Sequence, residues 1–285
     1  MLKLIECPRD AMQGIHDYIP IDLKAKYINL LLECGFYNID FGSFVSAKAI
    51  PQLRDTVEVL DKLNVEADKT KLLAIVANVR GAEEAAGFEK ISFLGYPFSL
   101  SETFQQRNTN RSIEAAYDDL KRIQEVCLKN VKSLVVYFSM GFGNPYGDAW
   151  NPEIVNEWME KLSKEGIKIF SLADTVGTAD PKDISGVFKT VSETYPHLEI
   201  GAHFHARPEE QHAKIEAAWD AGCQRFDMAM LGYGGCPMAE DDLVGNISTG
   251  FMMEFFRQKG VETGIDNDKL NKARELASEI FGKYS

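Results

Sequence analysis

The sequence predicts a single large α/β domain, a closed barrel of eight parallel strands surrounded by helices, the (β/α)₈ or TIM-barrel architecture. Three observations lead to this prediction. The chain has 285 residues, of which 45% are hydrophobic, enough for one large core. Short strand-like segments alternate with helical patterns almost to the end of the chain, as in a (β/α)₈ barrel. The first strand lacks the Gly-rich phosphate loop that usually follows it in the alternative, an open doubly wound sheet.

Eight segments have the pattern of buried parallel strands. Each is short and rich in Ile, Leu, Val and Phe, because both faces of such a strand are covered. They lie at residues 2–6, 36–41, 72–77, 90–94, 132–138, 167–172, 197–203 and 224–228.

Helical patterns fill the intervals between the strands. Residues 20–34 and 112–129 carry apolar side chains at helical spacing, and Ser112 is a suitable first residue for the second of these helices. The charged stretch from residue 258 is helical at 267–282, so we expect an extra helix on the outside. The predicted organisation is a barrel over residues 1–257 and a helical extension over residues 258–285.

Composition excludes several classes of partner. The net charge of −12 argues against nucleic acid, which needs a basic face. No apolar run approaches the roughly 20 residues that span a bilayer, and the N-terminus has no signal-peptide pattern. The five cysteines form no C-x-x-C pair, which argues against a disulfide framework or a thiolate zinc site. We therefore expect a cytoplasmic protein.

His203 and His205 give the strongest functional signal. They end the seventh predicted strand, where residues two apart point to the same side. Asp10 follows the first strand and Asn246 lies in a turn after the eighth, and all loops after the strands share one face of a barrel. One carboxylate, two imidazoles and an amide oxygen suit Mg²⁺ or Mn²⁺, leaving two positions for a chelating substrate. The alternative is a surface or hydrogen-bonded histidine pair.

Two further residues suggest chemistry at the same face. Arg9 suits a carboxylate or a developing enolate oxygen, although an ion pair with Asp40 is the commoner arrangement. Cys236 lies in a Gly-rich turn, either as a small buried side chain or as a mobile thiol that acts as acid or nucleophile.

Several polar side chains in predicted loops suit the phosphates of a nucleotide-bearing substrate. A solvated side chain is the simpler explanation for any one of them. The candidates are Lys48, Asn78 and Arg80.

With these motifs in place, the chain resembles the hydroxymethylglutaryl-CoA lyases of the metal-dependent TIM-barrel lyase superfamily. The Arg-Asp and H-x-H pieces are shared across the superfamily, whereas residues 43–48 (S-F-V-S-x-K) and 234–237 (G-G-C-P) are more specific to the lyases. The matching pieces cover nearly the whole barrel: residues 7–13, 43–48, 51–52, 78–81, 112–114, 174–177, 203–205, 234–237 and 245–246.

The resemblance implies retro-Claisen cleavage of 3-hydroxy-3-methylglutaryl-CoA, or a close 3-hydroxyacyl-CoA, the former yielding acetyl-CoA and acetoacetate. It implies that Arg9 stabilises the enolate of the acetyl thioester and that Cys236 protonates it. The general base is open, and Asp10 is the nearest candidate by position. A homodimer is common among barrels of this kind, although no interface is visible in the sequence. The implied metal ligands are Asp10, His203, His205 and Asn246, of which Asp10 and His203 are also counted as catalytic.

The chain departs from the lyase pattern at several positions. Ala206 and Arg207 stand where the lyases usually have Asp-Thr, and Asp40 replaces the usual Glu. The changes leave the reaction class in place and the exact acyl group open. Two alternatives remain: a metal-dependent 2-oxo acid aldolase or acyl-CoA condensing acyltransferase, and a non-catalytic binding barrel. Cys236 favours the lyase, because an enolate that the protein protonates needs no second carbonyl substrate.

Overall fold

The computed structural model describes residues 1–66, 69–235 and 244–285. Eight parallel strands pair in sequence order and the eighth pairs with the first, so the sheet closes into a barrel. This confirms the predicted fold class. The strands are β1 (Lys3–Glu6), β2 (Asn38–Ser43), β3 (Lys71–Ile75), β4 (Ile91–Ser99), β5 (Ser133–Ser139), β6 (Ile169–Asp174), β7 (Glu199–Phe204) and β8 (Arg225–Met228).

Helices connect the strands and cover the outside of the barrel. As predicted, the Ser112 hydroxyl caps one of them, accepting a hydrogen bond from the Ala115 N–H at 3.2 Å. The helices are α1 (Pro8–Gln13), α2 (Ile21–Leu32), α3 (Thr56–Asp61), α4 (Val79–Ala86), α5 (Glu102–Thr109), α6 (Ile113–Lys129), α7 (Pro152–Lys164), α8 (Pro181–Thr194), α9 (Gln211–Asp220), α10 (Thr249–Gln258) and α11 (Asn267–Tyr284).

Strand β4 is longer than predicted. The prediction ended it at residue 94, whereas it continues to Ser99 past Gly95 and Pro97. Proline lacks the N–H of a ladder hydrogen bond and is usually confined to strand edges. Pairing with β3 ends where Ile75 lies opposite Gly95, and only β5 pairs with the rest of β4. Pro97 therefore lies at a local edge of the sheet, where its missing donor is tolerated.

The barrel interior has an apolar part and a polar part, with the Arg225–Glu199 ion pair near the amino ends of the strands. The apolar part is a small cluster of buried side chains that includes Leu73, Ile75 and Tyr137. A Cβ at Gly95 would lie 2.9 Å from the Tyr137 ring, so the glycine makes room for that ring. The polar part fills the carboxyl end of the strands, where the candidate site lies.

The C-terminal helix α11 packs on the outside of the barrel, as expected. The Phe281 ring contacts Tyr27 of α2 edge-on at 6.0 Å and Tyr233 at 4.6 Å between ring centroids. Tyr233 precedes the glycines of the Gly-rich turn, so α11 supports the start of that turn. The division of the chain between residues 257 and 258 stays a prediction.

Candidate active site

Three of the four predicted metal ligands converge at the carboxyl end of the barrel. Asp10, on α1 directly after β1, meets His203 of β7 and His205 just beyond it. One ligand atom from each lies within 4.8 Å of the other two, and all three residues are buried. The two histidines lie on the same side of their strand, as their spacing predicts.

Each imidazole is held through its Nδ1 atom. His205 Nδ1 lies 2.8 Å from the carbonyl oxygen of Thr175, and His203 Nδ1 lies 3.1 Å from Asp227 Oδ2. His205 Nε2 is buried 3.9 Å from Asp10 Oδ2 and has no hydrogen-bond partner among the described residues. A buried nitrogen left in this way is costly unless a further group occupies the site.

The electrostatic surroundings suit a neutral His205 and an ionised Asp10. Burial and the neighbouring His203 lower the pKa of His205. Burial alone would raise the pKa of Asp10, but Arg9, the two imidazoles and the Asn246 amide lower it to about 2. These are the protonation states that metal ligands need. Such an acidic carboxyl is a poor general base, so its low pKa argues against that role for Asp10.

Asn246 completes the predicted set. It pairs with His205 across an isolated β-bridge, and its Nδ2 donates to Asp10 Oδ2 at 2.5 Å and to the Tyr233 carbonyl at 2.9 Å. Because both of these hydrogen bonds use the amide nitrogen, the amide oxygen is the atom that can act as a ligand. A Cβ at Gly234 would lie 2.9 Å from Asp10 Oδ2, so only glycine allows the turn to approach this closely.

Arg9 forms the expected ion pair with Asp40 and also lines the cavity. Its Nε lies 3.0 Å and its Nη2 2.5 Å from Asp40 Oδ2, while Nη1 donates to Asp10 and Gln13 at 2.9 Å each. Among the described residues these bonds leave one Nη2 hydrogen unused. Burial raises the pKa of Asp40 to about 6, although Arg9 opposes the shift.

Gln13 is a site residue that the sequence reasoning did not single out. Its Nε2 donates to Asp10 Oδ1 at 2.6 Å and to the Gly235 carbonyl at 3.3 Å. It therefore links the carboxylate to the Gly-rich turn. Its position one helical turn after Arg9 and Asp10 was the available signal.

A cavity opens beside these residues, and one of its walls is apolar. Part of that wall comes from α5, which the sequence reasoning did not identify. Lining residues beyond the polar cluster include Val45, Ile50, Ile75, Pro97, Phe104 and Tyr137.

The remaining predicted residues lie elsewhere. Cys236 lies outside the described residues. Lys48, Asn78 and Arg80 are exposed and do not line the cavity, and the Asn78 side chain caps α4 by accepting from the Gly81 N–H at 2.9 Å. A role for these three in binding a nucleotide stays a prediction.

A second group of possible ligands lies deeper in the barrel. Cys7, His203 and Asp227 also have ligand atoms within 4.8 Å of one another. Burial, together with nearby carboxylates, raises the pKa of the Cys7 thiol well above its usual range. A protonated thiol is a weak ligand, so the group with Asp10 is the better metal site.

None of the helices in the described ranges is both long and apolar enough to cross a membrane.

The HMGL-like family model matches residues 3–277. The sequence is 32% identical to hydroxymethylglutaryl-CoA lyase YngG of Bacillus subtilis, over 97% of this chain and 91% of that relative. It is 29% identical to the cytoplasmic 3-hydroxy-3-methylglutaryl-CoA lyase of Rattus norvegicus, over 99% of this chain and 82% of the relative.

The fold is similar to that of an HMG-CoA lyase from Acinetobacter baumannii, solved with coenzyme A and 3-methylmalate. The TM-score is 0.92 at 30% identity, over 99% of this chain and 92% of that one. The matches confirm the resemblance inferred from the motifs and the predicted class of enzyme, a carbon–carbon lyase. The chain belongs to the HMGL-like family.

Proposed function

We propose that this protein cleaves 3-hydroxy-3-methylglutaryl-CoA, or a close 3-hydroxyacyl-CoA, between C2 and C3. With the first substrate the products are acetyl-CoA and acetoacetate. The observation that carries the proposal is the convergence of Asp10, His203 and His205 beside Arg9 and a partly apolar cavity. The named relatives support the same reaction.

The site fits a divalent cation. His205 Nε2 is buried without a hydrogen-bond partner among the described residues, and Asp10 has a low pKa. We propose that Asp10, His203, His205 and Asn246 hold the ion. Oxygen and imidazole ligands without thiolate favour Mg²⁺ or Mn²⁺. When bound, such an ion supplies Lewis acidity toward substrate oxygens.

The chain's own residues then account for the charge that develops. Loss of the C3 hydroxyl proton to a base lets the C2–C3 bond break, which leaves a ketone at C3 and the bonding electrons on the thioester enolate. The unused Nη2 hydrogen of Arg9 is available to that enolate oxygen, and Asp40 and Gln13 hold the guanidinium in place. We assign to Cys236 the proton that C2 then receives.

The acyl-CoA partner is proposed by analogy with the relative whose structure holds coenzyme A. Lys48, Asn78 and Arg80 are exposed, where the nucleotide end of a long substrate would lie. A cytoplasmic location and a homodimer are further expectations. The four described cysteines are free and buried, in keeping with a reducing compartment.

A panel of thioesters tests the proposal. Purified protein with Mg²⁺ or Mn²⁺ is offered 3-hydroxy-3-methylglutaryl-CoA and homologues that differ in the C3 substituent. We expect one acyl-CoA product and one keto acid in equal amounts, loss of turnover with chelator and recovery with added metal. A parallel incubation offers the protein acetyl-CoA together with a 2-oxo acid. Product formation in that incubation alone would support the condensing alternative. No turnover of any panel member would contradict the lyase.

A further inference from the structure

We propose that Asp227 is a positioning residue that sets the tautomer and orientation of His203 at the metal site. The inference rests on the proposed function, because it assumes that His203 ligates the ion. His205 is held by a backbone carbonyl, which no side-chain substitution removes directly. His203 is held by a carboxylate on the neighbouring strand β8. The hydrogen bond at His203 Nδ1 therefore depends on one side chain.

The contacts of Asp227 suit this role. The residue is buried, and its Oδ2 lies 3.1 Å from His203 Nδ1 and 3.3 Å from the Ser171 hydroxyl. A carboxylate accepts hydrogen bonds, so it places the proton of a neutral imidazole on Nδ1. Nε2 is then the nitrogen with a free lone pair. Tyr137 contacts the His203 ring edge-on at 5.6 Å between centroids and limits its rotation.

A buried cation lies near Asp227 on the same strand. Arg225 lies two residues earlier, on the same side of β8, and is only 1% exposed. Its Nη1 donates to Glu199 at 3.0 Å, while Nε and Nη2 have no hydrogen-bond partner among the described residues. A Cβ at Gly201 would lie 2.6 Å from Arg225 Cδ, so the glycine makes room for this side chain. Although Arg225 pairs with Glu199, its positive charge near Asp227 offsets part of the cost of burying that carboxylate.

The alternative is that Asp227 is itself a ligand, together with Cys7 and His203. The two arrangements use opposite sides of the imidazole. In the proposed one, Nδ1 carries a proton and donates to Asp227. In the alternative, Nδ1 is bare and faces the ion. The tautomer of His203 and the effect of Cys7 on metal binding therefore distinguish them.

The first experiment measures Mn²⁺ binding by calorimetry. Carboxylates that orient a metal-bound histidine contribute roughly 10- to 100-fold to affinity, so we expect Asp227→Asn to weaken binding by that factor. Cys7→Ala is expected to bind as the wild type does. Glu6→Gln is the matched control, because it makes the same acid-to-amide replacement at another fully buried carboxyl of the barrel and should leave the affinity unchanged.

Each outcome bears on a different claim. A wild-type protein that binds no Mn²⁺ overturns the metal site and this inference with it. Wild-type binding with unchanged affinity in Asp227→Asn overturns the positioning role alone. Weaker binding in Cys7→Ala places the ion in the deeper group of Cys7, His203 and Asp227, and it also overturns the positioning role of Asp227.

A second measurement needs no substitution of Asp227. In ¹⁵N-labelled, metal-free wild type, long-range ¹H–¹⁵N spectra report which nitrogen of His203 is protonated. We expect the neutral ring to carry its proton on Nδ1. Assignment follows from loss of the signal in His203→Asn. A proton on Nε2 would overturn the proposal even if Asp227→Asn fails to fold.

Discussion

Glu6 should make the stability of the barrel fall as pH rises through neutrality. This carboxyl is fully buried at the end of β1, where Oε1 accepts from the Met230 N–H at 2.7 Å and Oε2 from the Thr249 hydroxyl at 2.6 Å. Burial raises its pKa from 4.5 to about 8, although both hydrogen bonds oppose the shift.

The sign and size of the effect follow from proton linkage. Between pH 4.5 and 8 the folded state keeps a proton on Glu6 that the unfolded state has lost, so stability is highest at low pH and falls as pH rises. Over the 3.5 units between the two values the full loss is about 5 kcal/mol, of which about 3 to 4 kcal/mol falls between pH 5 and pH 8. Glu6→Gln cannot ionise and should lack this loss.

Chemical denaturation from pH 5 to pH 8 measures the difference. The unfolding free energy of Glu6→Gln minus that of the wild type should increase steadily with pH. Glu58→Gln makes the same acid-to-amide replacement at an exposed position on α3, and its stability profile should run parallel to that of the wild type. A Glu6→Gln profile that also runs parallel to the wild type would refute the reasoning.

Three predictions concern the site. Cys236→Ser should lower kcat by roughly 10²-fold or more and leave Mn²⁺ affinity unchanged, since acid catalysis commonly contributes that much; wild-type kcat would exclude the acid role. His205→Ala should lose stoichiometric Mn²⁺ in calorimetry while the exposed His212→Ala keeps it, and retention in both would contradict the site. Arg9→Lys keeps a charge but loses the forked contact with Asp40, so kcat should fall roughly tenfold or more with Mn²⁺ affinity less affected; an unchanged kcat would exclude Arg9 from enolate stabilisation.

The sequence predicted the barrel well because buried parallel strands are continuous apolar runs. All eight strands occur near their predicted positions, and the errors lie at the ends. The end of β4 was missed because Gly95 and Pro97 interrupt the apolar pattern, and only the pairing with β3 shows that Pro97 lies at a local edge. Helix α5 was missed because Phe104 is its one large apolar side chain, so the segment has no apolar helical pattern. The available sign of a helix start was Ser101 as the capping residue, followed by the acidic Glu102.

The site was predictable where chemistry and strand ends coincide. Asp10, His203 and His205 carry unusual side chains at the ends of strands, and the fold brings them together. Asp227 lies within a strand and belongs to no motif, so only the 3.1 Å contact with His203 reveals its connection to the site. Long-range partners of this kind depend on strand register, which local patterns do not specify.

Anomalous diffraction from a crystal that contains Mn²⁺ tests the central claim most directly, because it locates the ion. We predict one strong peak per chain, within about 2.0–2.3 Å of ligand atoms from Asp10, His203, His205 and Asn246. A peak between Cys7 and Asp227 instead, or no peak in the barrel at saturating Mn²⁺, would contradict the account.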